Sequence, residues 1–270
     1  MTFGERLTKA VDAFGPLCVG IDPHPGLMDA WGLSQDASGL ERFALTCVEA
    51  FGGRVAVVKP QSAFFEACGS RGVAVLERVI ADLRDSGTLV LLDAKRGDIG
   101  STMAAYAAAY LTEGSPLAAD AVTLSPYLGF GSLEPALEAA RANGRGVIVL
   151  ALTSNPEGAS VQRAVGPDGR TVAQSIVDFA AERNSGISPV GDVGLVVGAT
   201  IGETGVDLSK LNGPVLAPGF GAQGATVADL KALFGADLRN ILPTSSRDVL
   251  KHGPDVSSLV SAVQRVQETL

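Results

Sequence analysis

The chain has 270 residues, of which 46% are hydrophobic, 19% charged and only 5% aromatic. A core built mainly from Ala, Val, Leu and Ile is typical of α/β proteins with a parallel sheet covered on both faces. The net charge of −8 argues against nucleic acid and anionic membranes as partners, because both are themselves negatively charged.

Eight short apolar segments, each ending in a polar residue or a Gly/Pro turn, predict eight β-strands. In chain order these segments are 17–22, 55–60, 89–95, 121–126, 146–152, 193–199, 214–219 and 240–245. Ala-rich segments with helical spacing follow them, at 38–52, 70–86, 101–113, 131–143, 171–184, 203–211, 225–235 and 254–269. Eight alternating units in a chain of this length predict a closed (β/α)8 TIM barrel, with a doubly wound open sheet as the alternative.

The chain has no linker or low-complexity segment that would divide it, so we expect one barrel domain over 1–270. Residues 1–13 are expected to form an additional N-terminal helix. The longest interruption of the pattern lies at 153–170, where Gly and Pro predict a loop that could serve as a lid. No apolar segment is long enough for a membrane span.

The few cysteines and histidines limit the kinds of site. Cys18, Cys47 and Cys68 form no CxxC or Cys/His spacing, which favours a reducing cytoplasm over a disulfide framework. The N-terminus lacks the apolar stretch of a signal peptide. His24 and His252 are the only histidines, which argues against a three-ligand zinc site and a Ser-His-Asp triad. His24 could line a site, although an ordinary loop residue is the favoured interpretation.

Charged side chains stand at the ends of the first three predicted strands. The first ends in Asp22, the second in Lys59, and the third, LVLLDAK, in Asp93 and Lys95. Side chains alternate along a strand, so Asp93 and Lys95 should point the same way. The catalytic residues of a TIM barrel lie at this end of the strands, so the four charges should converge on one mouth. Asp98 follows on the turn into the next helix.

Two structural explanations compete with a functional one. Asp98 could cap the following helix, and Asp93 could form an ion pair with Lys95. Burying four charges costs more free energy than such pairing returns, so a functional site is favoured. A lysine among carboxylates stays protonated, because negative charge raises its pKa. Lys95 is therefore interpreted as a positioned acid rather than a Schiff-base nucleophile.

The last two predicted strands favour a phosphate site. APGFGAQG, at 217–224, offers exposed amides before a helix, and Arg247 follows the eighth strand. Phosphate sites of TIM barrels commonly use these loops. GFGAQG fits a dinucleotide fingerprint only superficially, because no initial βαβ unit contains it. The residues therefore predict a phosphorylated small-molecule substrate and proton transfer at carbon.

The segment DAKRGDIGST resembles the D-x-K-x-x-D-I-x-x-T signature of the orotidine 5′-phosphate decarboxylase family. The likeness extends through GIDP, VVKP, PGFGAQG and the arginine after strand eight. The chain length and the residues of DAKRGDIGST are similar to those of the longer-chain branch of that family. The resemblance implies decarboxylation of orotidine 5′-monophosphate to UMP and carbon dioxide, the last step of de novo pyrimidine synthesis, without metal or organic cofactor.

The same resemblance implies residue roles. Lys95 would protonate C6 of the pyrimidine, flanked by Asp93 and Asp98, with Lys59 completing the charge network. The implied substrate contacts are Asp22 and Lys59 for the ribose hydroxyls, Ser154 and Pro218 for the base, and Gln223 and Arg247 for the phosphate. Either Thr153 or Ser154 would meet the base, and Ser246 stands where many family members have Gly.

The resemblance also implies a homodimer. Asp98, Ile99 and Thr102 would reach into the neighbouring subunit's site, and Asp98 and Thr102, four residues apart, would share one helix face. Two other functions stay open. A related phosphosugar lyase would need a divalent metal, and a catalytically silent barrel would only bind a nucleotide or phosphosugar.

Overall fold

Eight parallel strands form a closed barrel in chain order, with β8 pairing β1. This architecture comes from a computed structural model that describes residues 1–221, 224–236 and 238–270. The strands are β1 Cys18–Ile21, β2 Val57–Pro60, β3 Leu89–Arg96, β4 Ala121–Leu124, β5 Gly146–Leu152, β6 Val193–Val197, β7 Val215–Pro218 and β8 Ile241–Ser245. Each strand lies within its predicted segment, except that β3 ends one residue later. Because the strands also close in chain order, the predicted TIM barrel is confirmed.

Helices surround the barrel. They are α1 Phe3–Phe14, α2 Pro25–Ala30, α3 Ala37–Phe51, α4 Ser62–Glu66, α5 Gly69–Asp85, α6 Gly100–Leu111, α7 Glu134–Ala142, α8 Ala159–Gln162, α9 Val172–Arg183, α10 Val227–Phe234, α11 Arg247–Leu250 and α12 Val256–Gln267. Short 3-10 turns cover Phe130–Leu133 and Pro156–Gly158. The segment 153–170 therefore contains helical turns as well as loop. None of the described helices is both long and apolar enough to cross a bilayer.

The helix predicted at 203–211 is wrong, because this segment forms turns. Side chains there hydrogen-bond to nearby backbone: Thr204 Oγ1 accepts from the Val206 amide at 3.4 Å, and Asp207 Oδ1 from the Ser209 amide at 2.9 Å. Such local bonds compete with helical ones. Gly205, with φ of 65°, also lies outside the helical region.

One end of the barrel is closed by α1. Thr2 and Glu5 form a capping box at its start, and Phe3 and Leu7 pack into the apolar cluster that fills the barrel interior. Gly146 at the start of β5 leaves room for the Phe3 ring, because a Cβ there would lie 2.3 Å from that ring. The strands' amino-terminal end is therefore plugged, and the opposite end remains open.

Candidate active site

A cavity of about 470 Å³ opens at the carboxyl ends of the strands. Its size is typical of small-molecule sites. Seven of the residues singled out from the sequence line it: Asp22, Lys59, Asp93, Lys95, Ser154, Pro218 and Arg247. Further polar lining comes from His24, Gln61, Thr153, Asn155, Thr244 and Ser246. Gln223 lies outside the described residues.

Two lysines and two carboxylates form a connected network on one side of the cavity. Lys59 Nζ lies 3.5 Å from Asp22 Oδ1 and 3.3 Å from Asp93 Oδ2. Lys95 Nζ lies 2.6 Å from the same Asp93 oxygen. Within this chain, Lys59 is thus the lysine between two carboxylates, and Lys95 contacts Asp93. Within the described residues, no group of three His, Cys, Asp or Glu side chains is arranged to hold a metal ion.

The charges of this network are strongly coupled. Burial by itself would lower the pKa of Lys59, but the negative charges of Asp22 and Asp93 outweigh it and raise that pKa above its usual value. Burial would likewise raise the pKa of Asp93, but Lys59 and Lys95 outweigh it and hold that pKa well below its usual range. Lys59 and Asp93 are therefore both charged at neutral pH.

Lys95 has an unusual backbone conformation. Its φ is 49°, in the left-handed region that a non-glycine residue rarely adopts. The β3–β4 pairing is irregular between Leu92 and Arg96, so the alternation assumed from the sequence does not hold there. Asp93 and Lys95 still meet, through a bulge rather than a regular pleat. Non-glycine residues in this region cost about 1–3 kcal/mol each and cluster at functional sites.

Two polar residues that bind Asp93 were missed from the sequence. Gln61 Nε2 donates to Asp93 Oδ2 at 2.8 Å, and Thr123 Oγ1 donates to Asp93 Oδ1 at 2.7 Å. The signal was present for both, because Gln61 directly follows the second strand and Thr123 interrupts the apolar fourth strand. His24, which the sequence offered as a possible site residue, does line the cavity, with its ring edge-on to Phe64.

Two buried oxygens near the last strand and the first lack a hydrogen-bond partner among the described residues. They are Asp22 Oδ1, which lies 3.5 Å from Lys59 Nζ, and Ser245 Oγ. Asp22 also lines the cavity, whereas Ser245 does not. Arg247 and Pro218 line the wall formed by the seventh and eighth strands. Ser154 lines the cavity together with Thr153, which leaves both able to face a ligand.

Asp98, Ile99 and Thr102 do not line the chain's own cavity. Asp98 is half-buried and its Oδ1 accepts from the Ile99 amide at 2.8 Å, while Thr102 is exposed. Because α6 begins at Gly100, Asp98 precedes the helix, and the predicted shared helix face for Asp98 and Thr102 is wrong. Asp98 is not the helix cap either, since Ile99 occupies that position without a side-chain bond.

Comparisons with known proteins agree with this geometry. The model of the orotidine 5′-phosphate decarboxylase / HUMPS family matches residues 15–259. Orotidine 5′-phosphate decarboxylase of Salinispora tropica is 65% identical over 98% of this chain and 95% of its own length. The Streptomyces coelicolor enzyme of the same name is 60% identical over 97% of this chain and 95% of its own length.

Solved structures agree as well. A Streptomyces avermitilis crystal structure, provisionally described as the same enzyme, is 60% identical and superposes with a TM-score of 0.97 over 99% of this chain and 94% of its own. Leishmania donovani OMP decarboxylase is 29% identical, with a TM-score of 0.76 over 99% and 96%. The chain therefore belongs to the orotidine 5′-phosphate decarboxylase / HUMPS family, and it groups with the members named as decarboxylases, which are carboxy-lyase enzymes.

Proposed function

We propose that this protein converts orotidine 5′-monophosphate to UMP and carbon dioxide without a metal or organic cofactor, as the last step of de novo pyrimidine synthesis. Relatives at 60–65% identity that are named for this reaction support the substrate. The observation that carries the mechanism is the 2.6 Å contact between Lys95 Nζ and Asp93 Oδ2, backed by buried Lys59.

The reaction needs a positive charge where negative charge develops. The bond between C6 and the carboxylate breaks, carbon dioxide leaves, and the electron pair remaining at C6 takes a proton from the Lys95 ammonium. Asp93 lies beside the departing carboxylate, and carbon dioxide release relieves that like-charge contact. Lys95 is already in position, so little reorganisation is required during the reaction. Its side chain is 44% exposed within the single chain and lines the cavity where the substrate would lie.

The remaining contacts hold the nucleotide. Asp22 and Lys59, which form an ion pair at 3.5 Å and both line the cavity, bind the ribose hydroxyls. Arg247 binds the phosphate with its planar fork of donors, and Gln223 is the second phosphate contact that the family resemblance implies. Ser154 and Pro218, which also line the cavity, contact the base.

The working form is a homodimer with shared sites. Exposed apolar side chains after β3 and β4 support a contact with a second copy: Ile99 is 62%, Tyr127 78% and Leu128 53% exposed. Asp98, Ile99 and Thr102 reach the neighbouring cavity across that contact. We also propose the cytoplasm as the location, where free thiols such as Cys18 and Cys47 persist.

The first test is an absorbance assay on orotidine 5′-monophosphate with and without a chelator. We expect equal rates in both, and a Lys95→Ala enzyme slower by about 10³-fold or more, because it lacks both the proton donor and the preorganised cation. Lys251→Ala, at an exposed lysine, should keep the full rate.

Three outcomes would contradict the proposal. Loss of activity with chelator would favour a metal-dependent phosphosugar lyase. Binding of UMP without turnover of the substrate would favour a silent barrel. A folded Lys95→Ala enzyme with undiminished turnover would remove Lys95 from the mechanism.

A further inference from the structure

The bulge before Lys95 faces a single residue of the neighbouring strand. Leu92 is paired with Val122 and Arg96 with Leu124. Asp93, Ala94 and Lys95 therefore lie opposite Thr123 alone. One residue of β4 cannot pair with the backbone N–H and C=O groups of three residues in a regular parallel ladder. Another group must therefore form hydrogen bonds with this part of β3.

The Thr123 hydroxyl supplies that group. Its oxygen accepts a hydrogen bond from the Lys95 amide at 3.0 Å and donates one to Asp93 Oδ1 at 2.7 Å. The side chain is completely buried and does not line the cavity. A hydroxyl has one donor, and here it is committed to the carboxylate while the oxygen serves the amide. The β-branched side chain also restricts rotation, which suits a fixed bridge.

The two bonds act on the two charged groups of the reaction. With Asp93 Oδ1 held by Thr123, the second carboxylate oxygen is left for Gln61 and the two lysines, and it lies 2.6 Å from Lys95 Nζ and 3.3 Å from Lys59 Nζ. The other bond satisfies the amide of Lys95 in its left-handed conformation. The hydroxyl therefore supports the backbone conformation from which the Lys95 side chain reaches Asp93.

We infer that Thr123 is a positioning residue, whose hydroxyl sets the direction of both the Lys95 ammonium and the Asp93 carboxylate. This inference rests on the proposed decarboxylation. Thr123 does not touch the cavity, so its loss should affect the chemical step rather than substrate binding.

The test is Thr123→Val, which keeps the shape of the side chain and removes the hydroxyl. We expect kcat to fall about 30-fold, as for a lost hydrogen bond to a charged group, while KM changes by less than about threefold. Thr123→Ser, which keeps the hydroxyl, should restore kcat to within about threefold of the wild-type value.

A matched control is available just before the same strand. Thr88 is also buried, and its hydroxyl accepts from the Gly53 amide at 2.7 Å, but it lies at the opposite end of the barrel. Thr88→Val should lower stability and leave kcat unchanged. If Thr123→Val does not fold, Thr123→Ala and Thr123→Ser are compared instead, because they differ only by the hydroxyl.

Turnover and geometry are measured separately. The ¹H–¹⁵N resonance of the Lys95 amide should shift in Thr123→Val and not in Thr88→Val, because only the first removes its acceptor. If the wild-type protein has no activity but the Lys95 amide resonance still shifts in Thr123→Val, the proposed decarboxylation is refuted, while the contact between Thr123 and Lys95 is supported. An active wild type together with a folded, equally active Thr123→Val, or a Thr123→Ser as slow as Thr123→Val, would overturn the inference.

Discussion

At the scale of single residues, the two lysines of the site differ in their surroundings. The Lys59 side chain is 6% exposed and lies between two carboxylates, whereas that of Lys95 is 44% exposed and contacts Asp93 alone. The sequence did not predict that Lys59 is the lysine between two carboxylates of the same chain. It takes that position because Asp22 approaches from β1, the strand next to β2 and Lys59. Lys95 contacts only Asp93 within its own chain and is left to face a substrate.

Removing the buried charge should destabilise the protein in a pH-dependent way. Lys59→Met leaves the buried carboxylates of Asp22 and Asp93 without their shared partner, and we expect a loss of about 3 kcal/mol in the free energy of unfolding at pH 7. In the wild type the pKa of Asp93 is lowered, so its stabilisation is present above the usual 3.8 and is lost as pH falls below it. The difference between variant and wild type should therefore shrink in acid.

Urea unfolding at pH 7 and at about pH 3.5 measures both values. Lys251→Met removes an exposed lysine whose partner is Asp248, and it should change the free energy of unfolding by less than about 1 kcal/mol at either pH. A Lys59→Met protein that is as stable as the wild type at pH 7 would show that the carboxylates do not depend on this lysine.

At the scale of elements, β1 and β8 meet through a glycine. Gly20 lies inside β1, and a Cβ there would lie 1.9 Å from Ser246 Oγ and 3.1 Å from Asp22 Oδ2. The absence of a side chain lets the residue before Arg247 lie directly against the first strand. Asp22 on one strand and Arg247 after the other are thereby brought to the same cavity. The sequence shows Gly20 and Ser246, but their contact depends on closure of the barrel.

Filling this position should damage substrate binding. We expect Gly20→Ala to raise KM for orotidine 5′-monophosphate about tenfold or more and to destabilise the fold by about 1–3 kcal/mol, because Ser246 and Asp22 must move. Adding Ser246→Gly removes the atoms in the way and should recover most of both losses.

Steady-state kinetics and thermal unfolding report the two effects. Gly26→Ala in α2 is the control, since a Cβ there meets nothing within 4 Å and should be tolerated. A single Gly20→Ala variant with wild-type KM would mean that β8 adjusts without cost.

At the scale of the whole molecule, the barrel offers one open end. Apolar packing of α1 plugs the other end, so a ligand can approach only from the face that carries the charges. Lys95 is half-exposed on that face, and the neighbouring segment after β3 presents Ile99 to solvent. A second copy seated there would cover the mouth and complete the site, which is how the proposed homodimer would contribute to catalysis.

Shared sites can be tested by mixing two variants that are each nearly inactive. Lys95→Ala and Asp98→Ala are co-expressed with different tags. A mixed dimer then contains one site with both substitutions and one with neither, so the purified mixed dimer should have about half of wild-type activity. Purification through both tags and an absorbance assay measure the recovery. A mixed dimer no more active than its parents would show that Asp98 does not serve the neighbouring site.

The sequence by itself determined the eight strands, the barrel and the charged residues at the strand ends. These features follow from local patterns, because apolar runs predict strands and the ends of parallel strands share one side of a barrel. The tertiary structure decided which lysine is buried, how Thr123 bridges the bulge and why position 20 leaves no room for a side chain. It also replaced the helix predicted at 203–211 with turns. The physical reason is that burial, pKa and register depend on neighbours distant in sequence, and only the closed barrel brings them into contact.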